Sequence, residues 1–292
     1  MRVSTLDALL LLMAVIWGSN YSVIKSALVD FPPVAFNAVR LLLASGLFLI
    51  TIAIRRWRAR TQPRSGLQIS LPRLLALSVI GHTCYQLLFI WALSETSASD
   101  SALIIGCTPV FVALMTAALG HETIRRRRWI GILLSAVGVN LVVGSASAVG
   151  GESVSGDLLM LGAVACWSIG TIVSKPLLQD APAFEITGYS MAIGTFLFLP
   201  FALPQLRQVS LTAVPQHAWG ALVFSALLAL YVAYAIWFSS VQRLGSTRTA
   251  VYSNMVPVAG LLVAWLGFGE HIGALKGAGA VVVLVGVALT RS

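Results

Sequence analysis

Charged side chains are scarce in this chain, at 10% of 292 residues against 58% hydrophobic. A water-soluble domain carries roughly 25% charge, so one soluble core is excluded and the surplus apolar surface must face lipid. Cysteine is nearly absent too. Cys84, Cys107 and Cys166 fall in apolar runs without metal-ligand spacing, which points to small packing residues and away from a metal centre. No glycine-rich phosphate-cradling loop occurs, so direct ATP drive is not expected. None of the ten acids is placed deep in an apolar run, and His82 is the one histidine inside such a run. An intramembrane enzyme would need a nucleophile with a base, paired acids or a metal cluster, and the spacing offers none. Neither catalysis nor a cofactor is therefore expected.

What the chain has instead is long apolar runs. A helix needs roughly 20 residues to cross the hydrocarbon layer, which predicts ten spans: 5–27, 33–54, 73–94, 100–119, 129–145, 157–175, 185–203, 218–240, 248–268 and 271–290. The expected fold class is an all-α polytopic membrane protein with ten transmembrane helices. The first run is longer than a secretory-signal core of about 7–15 residues and is kept as a helix.

The runs repeat. Asp7, Ala14-Val15, Trp17 and Lys25 recur as Asp157, Val164-Ala165, Trp167 and Lys175, offset by 150. Pro109, Glu122, Gly131 and Gly138 recur as Pro257, Glu270, Gly279 and Gly286, offset by 148. Two units of five helices are expected, residues 1–148 and 149–292. A membrane protein built from two copies of one unit usually holds its site between them, and the removal of residues 1–27 would delete the partner of the sixth span.

Charge sets the orientation. With the N-terminus in the cytoplasm, ten spans return the C-terminus there, and fifteen Lys and Arg fall on the inside against three outside (Lys25, Arg207 and Lys276). Positive short loops stay cytoplasmic, so both termini are expected inside, in a bacterial inner membrane. The arginines flank spans instead of covering a soluble face, which argues against nucleic acid. Five is an odd number, so the second unit must enter upside down. Segment 121–128 carries four arginines where its counterpart 269–276 carries one lysine. This reversal predicts two inverted repeats, an architecture that supports alternating access.

Pro109 and Pro257 lie near the middle of apolar runs and predict kinks in spans four and nine. A fixed bend for packing and a hinge that gates the passage are both open readings. Gly131, Ser135 and Gly138, and likewise Gly279 and Gly286, put small residues at helical spacing for close helix packing.

Polar side chains inside spans are costly and are candidates for substrate handling. Arg40 leads, about seven residues into span two, with Asn37 one turn earlier. It has the fork geometry to grip a carboxylate or phosphate, the alternative being a structural arginine bonded to backbone. His82 titrates near neutrality, although a lone histidine is more often a hydrogen-bonded core residue. Trp17 with Asn20 and Tyr21, Tyr85 with Gln86, and Tyr231 with Tyr234 and Trp237 supply aromatic walls and polar anchors of the kind that line pockets. Glu122 and Glu270, near helix ends, read as pairing or capping groups more than as ion carriers.

The run Trp17-Gly18-Ser19-Asn20-Tyr21 through Lys25, Pro33 and Arg40 resembles the opening pattern of the EamA-type carriers in the drug/metabolite transporter superfamily. Trp91-Ala92-Leu93 through Ser97-Ala98, Pro109, Glu122 and Gly131 is similar to that family's second pattern. The resemblance covers nearly the whole chain. It implies ten helices, cytoplasmic termini, a central cavity between the halves, and a small-molecule substrate such as an amino acid, another metabolite or a drug. The four-helix multidrug relatives carry a proton-binding glutamate in their first helix, where this chain has Trp17 and Trp167, so their proton exchange does not transfer. The expected function is secondary transport of a small amphipathic metabolite, outward, across the plasma membrane. A multidrug carrier of the same fold is the alternative, and a membrane scaffold or enzyme ranks below it. The expected state is a monomer embedded in lipid, with a homodimer as the alternative.

Overall fold

A computed structural model describes residues 5–58, 69–96, 98–118, 125–144, 154–210, 212–268 and 274–291. The described residues are helical, with no strand among them. The chain runs α1 (Thr5–Ala27), α2 (Pro33–Arg58), α3 (Leu71–Glu95), α4 (Ala98–Ile105), α5 (Thr108–Ala118), α6 (Arg126–Gly144) and α7 (Val154–Asp180). It continues through α8 (Ala183–Gln208), α9 (Gln216–Leu244), α10 (Ser246–Ala250), α11 (Met255–Phe268) and α12 (Ala274–Arg291). Six of these (α1, α2, α3, α7, α8 and α9) are long and apolar enough to cross a membrane by length and composition. The exposed large residues agree: Leu9, Leu12, Val15, Leu42, Ile50, Phe196 and Phe201 form apolar outer faces that need lipid as solvent. The protein is an integral membrane protein.

Local sequence places the helix ends. Pro33 opens α2 and Pro72 lies in the first turn of α3, where a missing N–H breaks no intrahelical bond. Gln205 Oε1 accepts from the N–H groups of Val34 and Ala35 at 2.8 and 3.1 Å, satisfying the start of α2 from α8. Lys25 Nζ donates to the carbonyls of Leu93 and Thr96 at 2.8 and 2.7 Å, tying the end of α1 to the end of α3. Gly245, with φ 86°, separates α9 from α10 in a conformation that penalises a Cβ.

Two long helices are irregular at matching places. α3 widens into i→i+5 bonding over Leu77–Cys84 and α9 over Ser225–Val232, positions related by the 148-residue offset. Such turns are rare and leave backbone groups for other partners. The Thr83 hydroxyl bonds to Ser78 O and Gly194 O at 3.2 and 3.0 Å, and the indole of Trp17 donates to Ala229 O at 3.0 Å.

The single spans expected over 100–119 and 248–268 are interrupted. α4 ends at Ile105 and α5 starts at Thr108; α10 passes through a tight turn at Val251–Asn254 before α11 starts at Met255. Pro109 and Pro257 therefore sit in the first turn of the following helix instead of kinking a continuous one. In a first turn the missing N–H breaks no bond within that helix, which is why the chain tolerates proline there.

Helix pairing is close where side chains are small. A Cβ on Gly18 of α1 would lie 2.6 Å from Gly260 N and 2.7 Å from Val256 O of α11. One on Gly170 of α7 would lie 2.7 Å from Gly81 Cα of α3. Gly286 of α12 rests on Gly131 O and Ser135 of α6, so the small-residue faces of those two helices meet each other. α2 packs on α8, α3 on α7, and α1 on both α9 and α11.

Candidate functional site

Residues related by the repeat touch one another at the centre of the molecule. Trp17 and Trp167 meet edge to face with ring centroids 5.6 Å apart. Gln86 Nε2 donates to the Tyr234 hydroxyl at 2.9 Å, and Ser45 and Thr195 share a hydroxyl hydrogen bond at 2.7 Å. Beside the first two pairs lies a narrow cavity, with about 30 Å³ of room for the centre of a water molecule and aromatic walls of Trp17, Tyr21, Tyr85, Phe89, Trp167 and Tyr234. Three repeat-related pairs contribute to its lining: Trp17 with Trp167, Gln86 with Tyr234, and Ile105 with Ser253. The last pair belongs to the two helix interruptions.

Arg40 is 1% exposed and is among the residues that line the cavity. Its three described hydrogen bonds all go to neutral groups: Nε to Asn37 Oδ1 at 2.9 Å, one terminal nitrogen to Ser225 Oγ at 2.8 Å, and the other to Gln86 Oε1 at 2.9 Å. Asn37 in turn donates to Gln86 O at 3.1 Å, and Phe89 lies 5.6 Å from the guanidinium carbon. A guanidinium has five N–H donors, so two stay without a partner among the described residues. None of the lining residues is acidic. A buried permanent charge held only by dipoles is costly, and an anion entering the cavity would offset that cost.

The other polar groups of the lining divide into free donors and neutral acceptors. The hydroxyls of Tyr21 and Tyr85 and the indole N–H of Trp167 bond to no described residue. Asn20 is 6% exposed, and its Oδ1 has no donor. Thr108 and Ser253 give their hydroxyl protons to Ile105 O and Ala250 O, each at 2.6 Å, and keep oxygen lone pairs.

Of the residues the sequence singles out, Trp17, Asn20, Tyr21, Arg40, Tyr85, Gln86 and Tyr234 line this cavity. Asn37 stands behind Arg40, and Trp237 backs Trp17 and Trp167 at 5.4 and 5.3 Å. His82 is one layer out, stacked against Tyr234 at 5.8 Å with Nε2 2.9 Å from Ser190 Oγ. Ser190 Oγ also lies 2.7 Å from Ile186 O, and His82 Nδ1 is buried with no partner among the described residues. Tyr231 is elsewhere: it bonds to Thr51 at 2.8 Å and packs on Phe48 and Phe184. Trp167 and Ser225 are additions. The 150-residue offset from Trp17 marks the first, while nothing in the sequence marks Ser225.

The acids also need one correction. Asp7 sits near a helix end, as its position implies, but is 3% exposed and accepts a short hydrogen bond from the Tyr252 hydroxyl. Asp157, its counterpart, accepts from Thr96 Oγ1 at 2.8 Å. Glu122, Glu270, His121 and His271 lie outside the described residues.

Comparison with known proteins agrees with this picture. The model of the EamA-like transporter family matches residues 5–144 and 154–292. The chain is 27% identical over 287 residues to the uncharacterized transporter YyaM of Bacillus subtilis (strain 168), covering 97% of this chain and 92% of that one. It is 29% identical over 287 residues to a probable amino-acid metabolite efflux pump of Salmonella typhimurium, covering 96% and 92%. It is 28% identical over 275 residues to a probable terminal-alkyne amino-acid exporter of Streptantibioticus cattleyicolor, covering 92% and 88%. A solved crystal structure superposes with a TM-score of 0.77 at 17% identity, over 99% of this chain and 98% of its own, a likeness of fold alone.

Proposed function

The chain belongs to the EamA-like transporter family, and on that premise we propose that it is a secondary transporter exporting small amphipathic metabolites, amino acids or similar, across the bacterial inner membrane. In this reading ten spans form two inverted five-helix repeats, 1–148 and 149–292, with both termini cytoplasmic. The cavity is exposed to each side in turn as the halves exchange conformations. Residues that meet their own repeat partners support it, because only residues on a two-fold axis can do so: Trp17 with Trp167, Gln86 with Tyr234, Ser45 with Thr195. The matched wide turns and matched helix interruptions support it as well, and the interruptions beside Pro109 and Pro257 give each repeat a hinge.

The observation that carries the substrate reading is Arg40, a buried cation with donors to spare on the wall of an aromatic cavity that has no acid. A carboxylate seats on such a fork, and the apolar remainder of the solute on the rings. The probable amino-acid metabolite efflux pump and the probable terminal-alkyne amino-acid exporter among its relatives point the same way. The carrier works as a monomer without ATP or a cofactor. Counterflow tests this: purified protein in liposomes preloaded with unlabelled amino acids should accumulate the labelled solute transiently, without nucleotide. Absence of exchange for every amphipathic amino acid, in protein that is folded and monodisperse, would refute it.

A further inference from the structure

The charge inventory of the cavity is one-sided, and this bears on which end of the solute is recognised. On the donor side stand two N–H groups of Arg40, the hydroxyls of Tyr21 and Tyr85, and the Trp167 indole N–H. On the acceptor side stand only neutral oxygens: Asn20 Oδ1, without any donor, the phenol oxygens of Tyr21 and Tyr85, and the half-used hydroxyls of Thr108 and Ser253. No carboxylate faces the cavity from any lining residue.

A zwitterion brings two charges to this site. Its carboxylate meets a permanent cation through charge-assisted bonds. Its ammonium leaves water for neutral oxygens and ring faces, in a space that already holds a like charge. A desolvated ammonium is costly without a paired anion, and attraction to ring faces offsets only part of that cost. A monoanion brings a single charge that the site balances.

We propose that the cavity is a receptor for organic monocarboxylates bearing an aromatic or bulky apolar tail, and that the α-ammonium of an amino acid is tolerated, not required. This rests on the carrier reading above and narrows it. Arg40 holds the carboxylate, Tyr21 and Tyr85 supply further donors, and Trp17, Trp167 and Tyr234 receive the tail. Solutes of this class include amino acids and their 2-oxo, 2-hydroxy and deaminated counterparts. A phosphomonoester dianion exceeds the one positive charge available and is excluded on the same balance.

The test uses the full chain in detergent and three probes that share one ring: phenylalanine, 3-phenylpropanoate without the ammonium, and phenethylamine without the carboxylate. Equilibrium binding is read by calorimetry and confirmed by competition in counterflow. The expected order is 3-phenylpropanoate equal to phenylalanine within about threefold or tighter, and phenethylamine weaker by about 100-fold or more, which is about 2.8 kcal/mol. In Arg40→Gln the two carboxylates should fall to the level of the amine. Phenylalanine binding more than about tenfold tighter than 3-phenylpropanoate overturns the proposal, as does tight binding of phenethylamine or of phenyl phosphate. If labelled amino acids exchange while 3-phenylpropanoate is refused, only the charge argument fails. If nothing binds and counterflow is silent, the carrier reading fails with it.

Discussion

Replacing Arg40 separates a transport residue from a structural one, and the structure sets the size of each effect. Two guanidinium N–H groups are free of described partners, and hydrogen bonds to a charged group contribute about 1.5–3 kcal/mol each. Losing both in Arg40→Gln should cost about 3–6 kcal/mol of carboxylate affinity, a factor of about 100 to 20,000 in Kd. Stability should change far less, because opposing effects meet. Asn37 Oδ1, Gln86 Oε1 and Ser225 lose a donor, at about 1–3 kcal/mol for each group left bare. Against this, a buried charge without a carboxylate is removed, and the glutamine amide can still donate to one or two of the three. Arg40→Lys keeps the charge without the planar fork and should be intermediate. Calorimetry with 3-phenylpropanoate gives the affinity, and thermal unfolding in detergent gives the stability. Binding by Arg40→Gln within about threefold of the parent would refute the reasoning. A variant that no longer accumulates in the membrane would make Arg40 a structural residue.

Gly18→Ala should push α1 from α11, because its Cβ would meet backbone atoms 2.6 and 2.7 Å away; about 1–3 kcal/mol of overpacking should lower Tm by several degrees. Gly46→Ala, with nothing within 4 Å of its Cβ, should leave Tm unchanged or raise it slightly, and equal losses at both sites would discredit the packing account. Asp7→Asn, Tyr252→Phe and the double variant should show coupling of about 1–3 kcal/mol in unfolding, since the phenol donates to a buried carboxylate; additive losses would mean the pair contributes nothing as a pair.

Helix lengths and the outer apolar faces follow from composition and run length, so α1, α2, α3, α7, α8 and α9 lie where the apolar runs are. Trp17, Asn20 and Tyr21 share one face of an ordinary helix and all line the cavity, as the 3.6-residue period requires. Tyr231 and Tyr234 show where that logic stops. The wide turn over Ser225–Val232 rotates less per residue, so two tyrosines three apart diverge, one toward Thr51 and one into the cavity. Apolar residues on both sides of such a turn leave no mark of it in the sequence. The helix interruptions were hidden in a similar way. Pro109 and Pro257 signal a disturbance in the apolar run, but a kink and a restart leave the same residues in place. Ser225 was invisible because its partner Arg40 is 185 residues away, and no local spacing encodes a long-range pairing.

The proposed transport function requires two halves to enter the membrane in opposite senses and share one cavity. Single cysteines placed in segments 121–128 and 269–276, after Cys84, Cys107 and Cys166 are replaced by alanine, test this in intact cells with a membrane-impermeant maleimide. The account predicts that the 269–276 cysteine is labelled from outside and that the 121–128 cysteine reacts only after the cells are opened. Labelling of both from the same side would contradict it.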